Sequence, residues 1–255
     1  MSGETRPSPS NRLMKPGQVS YFRYENSAEL VRNITQVFLT ALSRRQDLSV
    51  PFTVALSGGR ISKPLFSSLA RELAGGQTPL EGVHWFFADE RCVPPNHPES
   101  NYASAQSLLF RPLNVPPEQV HRLHGEIDPL TAAHNGESEL CRIAPLNAAG
   151  QPILDILFLG MGEDGHVASL FPAESEQVRS LSPVYRPVVA SKPPPQRITL
   201  GYPAIASAKQ AWVLISGEGK ENALNGAFTD GSNLPVRRVL EMRPHTDLFS
   251  EVGRT

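Results

Sequence analysis

The sequence predicts an α/β protein whose mostly parallel central sheet is covered by helices on both faces. Two observations predict this class: short, continuously apolar runs alternate with amphipathic stretches, and each run leads into a loop of small or charged residues. Strands buried on both faces read as continuous apolar runs, and strands that alternate with helices pair in parallel. We expect one domain over residues 19–255, preceded by a polar, proline-interrupted and mobile tail over residues 1–18.

The first expected element is a long amphipathic helix over residues 27–46. Asn26 and Glu29 have the spacing of a capping box, and apolar residues recur behind them at helical intervals. Four buried strands are expected next, at 52–56, 83–87, 155–159 and 211–215. The helices expected between and after them cover 65–73, 103–110, 130–143 and 221–228. Two further runs predict an antiparallel pair at an edge of the sheet, at 187–191 and 197–202.

Composition narrows the classes of partner. Of 255 residues, 24 are Lys or Arg and 25 are Asp or Glu, so the formal net charge is −1. This balance gives no electrostatic basis for binding nucleic acid or a membrane, and no apolar run approaches the ~20 residues of a membrane span. No secretory signal is recognisable, and Cys92 and Cys141 lie far apart without metal-ligand spacing. We therefore expect a cytoplasmic protein with free, non-catalytic thiols.

The loop GMGEDGH (160–166) follows the third buried strand and admits several interpretations. Its glycines match a dinucleotide fingerprint, yet Glu163 and Asp164 would face the pyrophosphate, and the acidic residue expected about 20 positions later is missing. Asp164 and His166 are legitimate metal ligands, but no further ligand motif completes a site. A plain glycine turn with surface acids does not account for the histidine. We favour His166 as a general base that Asp164 orients, with Gly162 helping the loop to turn sharply.

Three other loops follow predicted strands, and open parallel sheets bind their ligands at the carboxyl ends of the strands. The turn Ser57-Gly58-Gly59 precedes a helix start, where N–H groups favour a phosphate or carboxylate; an ordinary βα turn is an equal alternative. Asp89 and Glu90 are candidates for orienting polar groups, and Arg91 offers a fork for an anion. Lys220 is a second cation near a helix start. We expect the four loops to meet in one crevice.

Five segments together resemble the 6-phosphogluconolactonase family: SGG (57–59), FFADERCVPPNHPESNY (86–102), DILFLGMGEDGHVASLFP (155–172), PPPQRITL (193–200) and GEGK (217–220). The resemblance implies hydrolysis of 6-phosphoglucono-δ-lactone to 6-phosphogluconate, in the oxidative pentose phosphate pathway, with neither metal nor cofactor. It implies the Rossmann-like fold shared with glucosamine-6-phosphate deaminases, and it assigns the activation of water to His166.

The resemblance also implies that the SGG loop, Arg91 and Lys220 serve the phosphorylated substrate. Either of these two cations, with backbone donors, is expected to stabilise the tetrahedral oxyanion. The full set of expected substrate-binding residues is Ser57, Gly58, Gly59, Arg60, Asp89, Glu90, Arg91, Gly162, Arg197 and Lys220.

The chain departs from the family pattern after SGG, where Ser-Thr-Pro is usual and Arg60-Ile61-Ser62 stands here. Ile61 removes a hydroxyl that would bind phosphate, and Arg60 adds a charge that compensates for it. Two alternatives to a lactonase are a sugar-phosphate isomerase or deaminase of the same fold and a non-catalytic sugar-phosphate-binding regulator. The deaminases carry a glutamate five residues beyond the histidine, where this chain has Phe171, and a regulator has no need of a water-activating histidine.

Overall fold

Nine strands and eight α-helices build the computed structural model, which describes residues 17–76 and 78–253. The strands are β1 (Gln18–Arg23), β2 (Phe52–Leu56), β3 (Val83–Phe87), β4 (Asp89–Arg91), β5 (Ile156–Gly160), β6 (Tyr185–Val189), β7 (Gln196–Leu200), β8 (Gln210–Ile215) and β9 (His245–Ser250). The helices are α1 (Ser27–Ser43), α2 (Ser62–Leu73), α3 (Asn101–Ala105), α4 (Pro129–Ile143), α5 (Glu176–Arg179), α6 (Tyr202–Ser207), α7 (Glu221–Ala227) and α8 (Pro235–Met242). A π-helical turn (Gln106–Phe110) continues α3, and Pro117–Gln119 form a 3-10 turn.

The central sheet has six parallel strands in the order β1-β9-β8-β5-β2-β3. This confirms the predicted fold class, and the four buried strands fall within one residue of their expected positions. The sequence reasoning missed the strands at the β1 end of this sheet. In β9 only Leu248 and Phe249 are apolar, directly after Asp247, and in β1 apolar and polar residues are mixed, so neither strand has the continuous apolar pattern of the others.

The N-terminal boundary of the ordered fold lies slightly before the expected one. Gln18 is already paired in β1, and the N–H of Gly17 donates to the carbonyl of Arg243 at 2.7 Å. Residues 1–16, the remainder of the predicted tail, lie outside the described residues.

The apolar face of helix α1 packs against the central sheet. The side chain of Asn26 accepts a hydrogen bond from the N–H of Glu29 at 3.0 Å. The Glu29 carboxylate accepts from the N–H of Glu25 and not from that of Asn26, which a capping box would require. The helix ends at Ser43, three residues before the expected end. Its buried Phe38 packs within 6 Å of two aromatic rings on the sheet, Trp85 of β3 and Phe158 of β5.

The predicted antiparallel pair exists, but it does not extend the edge of the central sheet. Strands β6 and β7 form a separate three-stranded sheet with β4, in the order β4-β7-β6. The reason is that the segment Asp89–Arg91 leaves the central sheet directly after β3 and pairs with β7 instead. This second sheet carries charged residues over the carboxyl ends of the parallel strands. None of the helices in residues 17–76 and 78–253 is both long and apolar enough to cross a membrane.

Candidate active site

A cavity of about 220 Å³ opens where the segments after β2, β3, β5 and β8 converge. Every expected site residue lines it except Asp164 and Glu90. The structure therefore gathers the four loops at one place, as the parallel topology leads one to expect. The lining residues are Ser57, Gly58, Gly59, Arg60, Ile61, Asp89, Arg91, Gly160, Met161, Gly162, Glu163, His166, Ala168, Lys192, Arg197 and Lys220.

His166 and Asp164 form a close pair at the rim of this cavity. Nδ1 of His166 lies 2.5 Å from Oδ1 of Asp164. The hydrogen bond from His166 holds the pKa of the Asp164 carboxyl well below its usual range, against the opposing effect of burial. An ionised carboxylate only accepts hydrogen bonds, so Nδ1 carries the proton, and in the neutral imidazole Nε2 keeps its lone pair. The imidazole is thus held in the tautomer that can take a proton at Nε2.

The imidazole ring is held on two sides by its neighbours. A Cβ added at Gly162 would lie 2.1 Å from Nδ1 of His166, so only glycine leaves room for the ring there. Near the ring lies Phe171, with centroids 4.9 Å apart and planes tilted by 39°. The guanidinium of Arg197 lies 5.7 Å from the centroid of the same phenyl ring. The glycine of this loop therefore makes space for a histidine.

Two arginines form a cationic patch on the small sheet. Arg91 and Arg197 are direct partners in the register of β4 and β7. Burial, followed by the charge of Arg91, lowers the pKa of Arg197. Within the described residues, the buried Nε of Arg91 has no hydrogen-bond partner. The carboxylate of Glu99, 3.4 Å from Arg91, offsets part of this charge. Like charges opposite one another destabilise a sheet, and a bound anion would offset the remaining repulsion.

A second cationic patch of the cavity lies around Lys220. This residue directly precedes α7 and is 8% exposed. Burial, followed by the nearby charge of Arg60, lowers its pKa from 10.5 to about 8. Arg60 is itself exposed and forms an ion pair with Glu163 at 3.1 Å. Within the described residues, α2 has no side-chain cap at Ile61; the N–H of Ser62 donates to the carbonyl of Gly59 at 3.2 Å and Pro64 has no N–H, which leaves the N–H of Lys63 as a donor at the helix start.

Charge distribution around the cavity favours an anionic ligand, although the chain as a whole carries a net charge of −1. The cationic side chains in its lining outnumber the anionic ones. The cations are Arg60, Arg91, Lys192, Arg197 and Lys220, and the anions are Asp89 and Glu163.

Asp89 and Glu90, the acidic residues of the ADER segment, have different surroundings. Asp89 lines the cavity and accepts from the hydroxyls of Ser57 and Ser169, at 3.0 and 2.7 Å. Glu90 is 2% exposed and lies outside the lining, so the geometry does not support the expected substrate contact. Its carboxylate instead faces the start of α3, and burial raises its pKa despite several hydrogen bonds.

Sequence reasoning did not single out Lys192 or Asn101. Nζ of Lys192 lies 3.8 Å from Oδ2 of Asp164. In the sequence, the proline-rich segment after Lys192 was the one signal of a functional loop there.

Burial raises the pKa of Cys92 to about 11, so its thiol stays protonated at neutral pH. Within the described residues, no three or more His, Cys, Asp and Glu side chains are grouped to hold a metal ion.

A larger cavity of about 520 Å³ lies elsewhere, lined by residues that include Tyr102, His121 and Glu139. Its lining residues Arg122 and Glu139 each already have an ion-pair partner, Glu126 at 2.7 Å and Arg142 at 2.6 Å. The smaller cavity has the excess of cations and the histidine–aspartate pair. Chemistry rather than size therefore identifies the candidate active site.

Fold and site together define a class: an α/β protein with a cationic cavity and a histidine–aspartate pair beyond the carboxyl ends of a parallel sheet. Within that class the chain belongs to the family described as glucosamine-6-phosphate isomerases/6-phosphogluconolactonase, whose model matches residues 25–248.

Known relatives agree with this assignment. A 6-phosphogluconolactonase of Haemophilus influenzae is 33% identical over 85% of this chain and 89% of its own length. A probable chloroplastic 6-phosphogluconolactonase of Oryza sativa subsp. indica is 37% identical over 78% of this chain, which spans only 64% of that relative. The crystal structure of 6-phosphogluconolactonase from Leishmania guyanensis superposes with a TM-score of 0.77 and 27% identity, covering 91% of this chain and 96% of that one.

Proposed function

We propose that the protein hydrolyses 6-phosphoglucono-δ-lactone to 6-phosphogluconate, with His166 as the general base. The observation that carries the proposal is the 2.5 Å contact between Nδ1 of His166 and an ionised Asp164. It leaves Nε2 as the basic atom beside a cavity suited to an anion. The name shared by the relatives supplies the substrate, and the geometry supplies a chemically matching site.

The reaction requires a single activated water. Nε2 of His166 takes a proton from water, and the resulting hydroxide forms a bond to the lactone carbonyl carbon, C1. The tetrahedral oxyanion collapses, the bond from C1 to the ring oxygen breaks, and the imidazolium returns its proton to that oxygen. Asp164 stabilises the transient imidazolium and keeps the ring in one tautomer. No covalent intermediate is needed, because a lactone is already a reactive ester.

We assign the two cationic patches to the two ends of the substrate. The guanidinium of Arg197 lies 5.7 Å from the ring of Phe171, which contacts His166, and Arg91 is its partner in the strand register, so we assign both arginines to the oxyanion at C1. The SGG turn, Lys220 and Arg60 bind the phosphate, because Lys220 is a buried cation and the uncapped start of α2 offers the N–H of Lys63. In this arrangement Arg60 supplies charge where Ile61, which is 4% exposed, has none.

The isomerase or deaminase alternative is disfavoured by Phe171. The phenyl ring is 7% exposed and occupies the place where the deaminases carry a glutamate, so no carboxylate is available there to assist ring opening. A non-catalytic regulator is disfavoured by the oriented histidine itself. We also propose that the protein acts in the cytoplasm on a free phosphorylated lactone, without nucleic acid or membrane as partner.

The decisive test is turnover by purified protein, followed as acid release from freshly made lactone with the spontaneous rate subtracted. We expect hydrolysis of the phosphorylated lactone, much weaker hydrolysis of unphosphorylated glucono-δ-lactone, and no ammonia release from glucosamine 6-phosphate. Ammonia release would favour the deaminase alternative. Binding of 6-phosphogluconate without any turnover would favour a regulator.

A further inference from the structure

The segment Ser100–Tyr102 belongs to the matched motifs, yet the mechanism above makes no use of it. It lies at the start of α3, next to the site but outside its lining. Asn101 is 4% exposed, which is unusual for an asparagine side chain and requires that its amide be satisfied.

Glu90 fixes the position of this segment. Its carboxylate accepts from three backbone N–H groups, those of Arg91, Asn101 and Tyr102, at 2.7, 2.8 and 2.8 Å. It also accepts from the hydroxyl of Ser100 at 3.0 Å. A buried carboxylate with this many donors at a helix start holds that start rigidly.

The side chain of Asn101 projects from the fixed helix start toward the SGG turn. A Cβ placed on Gly58 would lie only 1.9 Å from Oδ1 of Asn101, so the amide lies directly against the Gly58 backbone. Nδ2 of Asn101 donates to the carbonyl of Asp89 at 2.8 Å. The carboxylate of the same aspartate accepts from the hydroxyl of Ser57. Asn101 therefore contacts the turn directly at Gly58 and is linked to Ser57 through Asp89.

We propose that Asn101 is a positioning residue for the phosphate-binding turn, setting the place of the Gly58 backbone without touching the substrate. The inference rests on the proposed function, because it takes the ligand of this turn to be the phosphate of the lactone. It also accounts for the glycine at residue 58, and it gives Glu90 a role although Glu90 lies outside the cavity.

The test uses the nearly isosteric Asn101→Asp variant in the full chain. Its carboxylate loses the donors to Asp89 and repels it, so the turn shifts. We expect KM for the lactone, and Kd for inorganic phosphate measured by calorimetry, to rise at least about tenfold, the worth of one charge-assisted contact. We expect kcat at saturation to change less than about threefold, because His166 and Asp164 are not displaced. Tyr102→Phe on the same helix is the matched control and should leave KM and Kd unchanged.

A second pair of variants tests the contact without introducing charge. Gly58→Ala alone should weaken phosphate binding strongly because its methyl group meets Asn101, and adding Asn101→Ala should restore part of the loss. Additive losses in this cycle, or an unchanged KM and Kd in a folded Asn101→Asp protein, would overturn the proposal. Wild-type protein that binds phosphate but turns over no lactone refutes the proposed function instead, and Kd still tests Asn101.

Discussion

Lys220→Met should make the protein more stable and less able to bind its ligand. Burial dominates the lowering of the Lys220 pKa from 10.5 to about 8, and the residue is 8% exposed. At about 1.4 kcal/mol for each pKa unit, the protonated lysine destabilises the folded state by about 3 kcal/mol. Methionine has similar length and fills the same space without a charge, so it removes this cost.

The sign of the pH dependence follows from linkage. Below pH 8 the lysine is protonated in both the folded and unfolded states, and the whole cost is present. Between about 8 and 10.5 only the unfolded state still binds the proton, so the stability of the wild type rises with pH relative to the variant. The advantage of Lys220→Met should therefore be greatest at neutral pH and vanish near pH 10.5.

Urea unfolding of both proteins at several pH values measures this difference. Lys63→Met, at an exposed position of α2, is the matched control and should change the free energy of unfolding by less than about 0.5 kcal/mol. A Lys220→Met protein that is less stable than wild type at pH 7 would refute the argument from burial.

Lys220 should favour the binding of 6-phosphogluconate, although it destabilises the free protein. A phosphate monoester is fully ionised above pH 7, so a fall in affinity above about pH 8 must come from the protein. Lys220→Met should lose affinity at pH 7, and Lys220→Arg, whose guanidinium stays charged, should bind equally well at pH 7 and 9. Calorimetry that shows the same alkaline decline in the arginine variant would assign the decline to another group.

Three further outcomes are expected. Folded His166→Ala should lose about 10²–10⁴-fold in kcat after subtraction of the spontaneous rate, with Asp164→Asn intermediate; near-normal kcat in the alanine variant would eliminate the general base. Phe171→Leu keeps the site apolar but releases the imidazole, so kcat should fall about tenfold or more while circular dichroism stays native; an unchanged kcat would show that Asp164 alone orients the ring. Exhaustive chelation should leave turnover unchanged, and activity restored by one divalent ion would make His166 a metal ligand.

The parallel sheet could be predicted from the sequence because its inner strands are buried on both faces, and their composition shows this burial. Strands at 52–56 and 83–87 are continuously apolar, as burial on both faces requires. β1 and β9 could not be found in the same way. β9 carries Asp247 at a position that is 4% exposed, and a buried acid within a strand is a tertiary arrangement that no local pattern encodes.

The site residues likewise fall into two groups, those that a local sequence pattern predicts and those that only the tertiary structure brings to the site. Glycine, aspartate and histidine in one loop already indicate an oriented base, since their relation is local in the chain. The role of Glu90 depends on α3, which begins eleven residues later and folds back to it. Lys192 reaches Asp164 from a loop on the second sheet, and no spacing rule connects positions so far apart. Residues that act through others therefore escape sequence reasoning more often than residues that face the ligand.

The unliganded site is electrostatically costly at both ends, and this has a functional consequence. Arg91 faces Arg197 across two strands, and Lys220 is buried as a cation with a second positive charge, Arg60, nearby. Glu99 and Glu163 offset part of each repulsion, and under the proposed function the phosphorylated ligand offsets the rest, so binding stabilises the folded protein. The site thus favours ligands that carry charge at one end and develop it at the other, which is how the lactone changes as water attacks C1. An unphosphorylated lactone offsets only the repulsion between Arg91 and Arg197, where charge develops at C1, and selectivity for the phosphate follows.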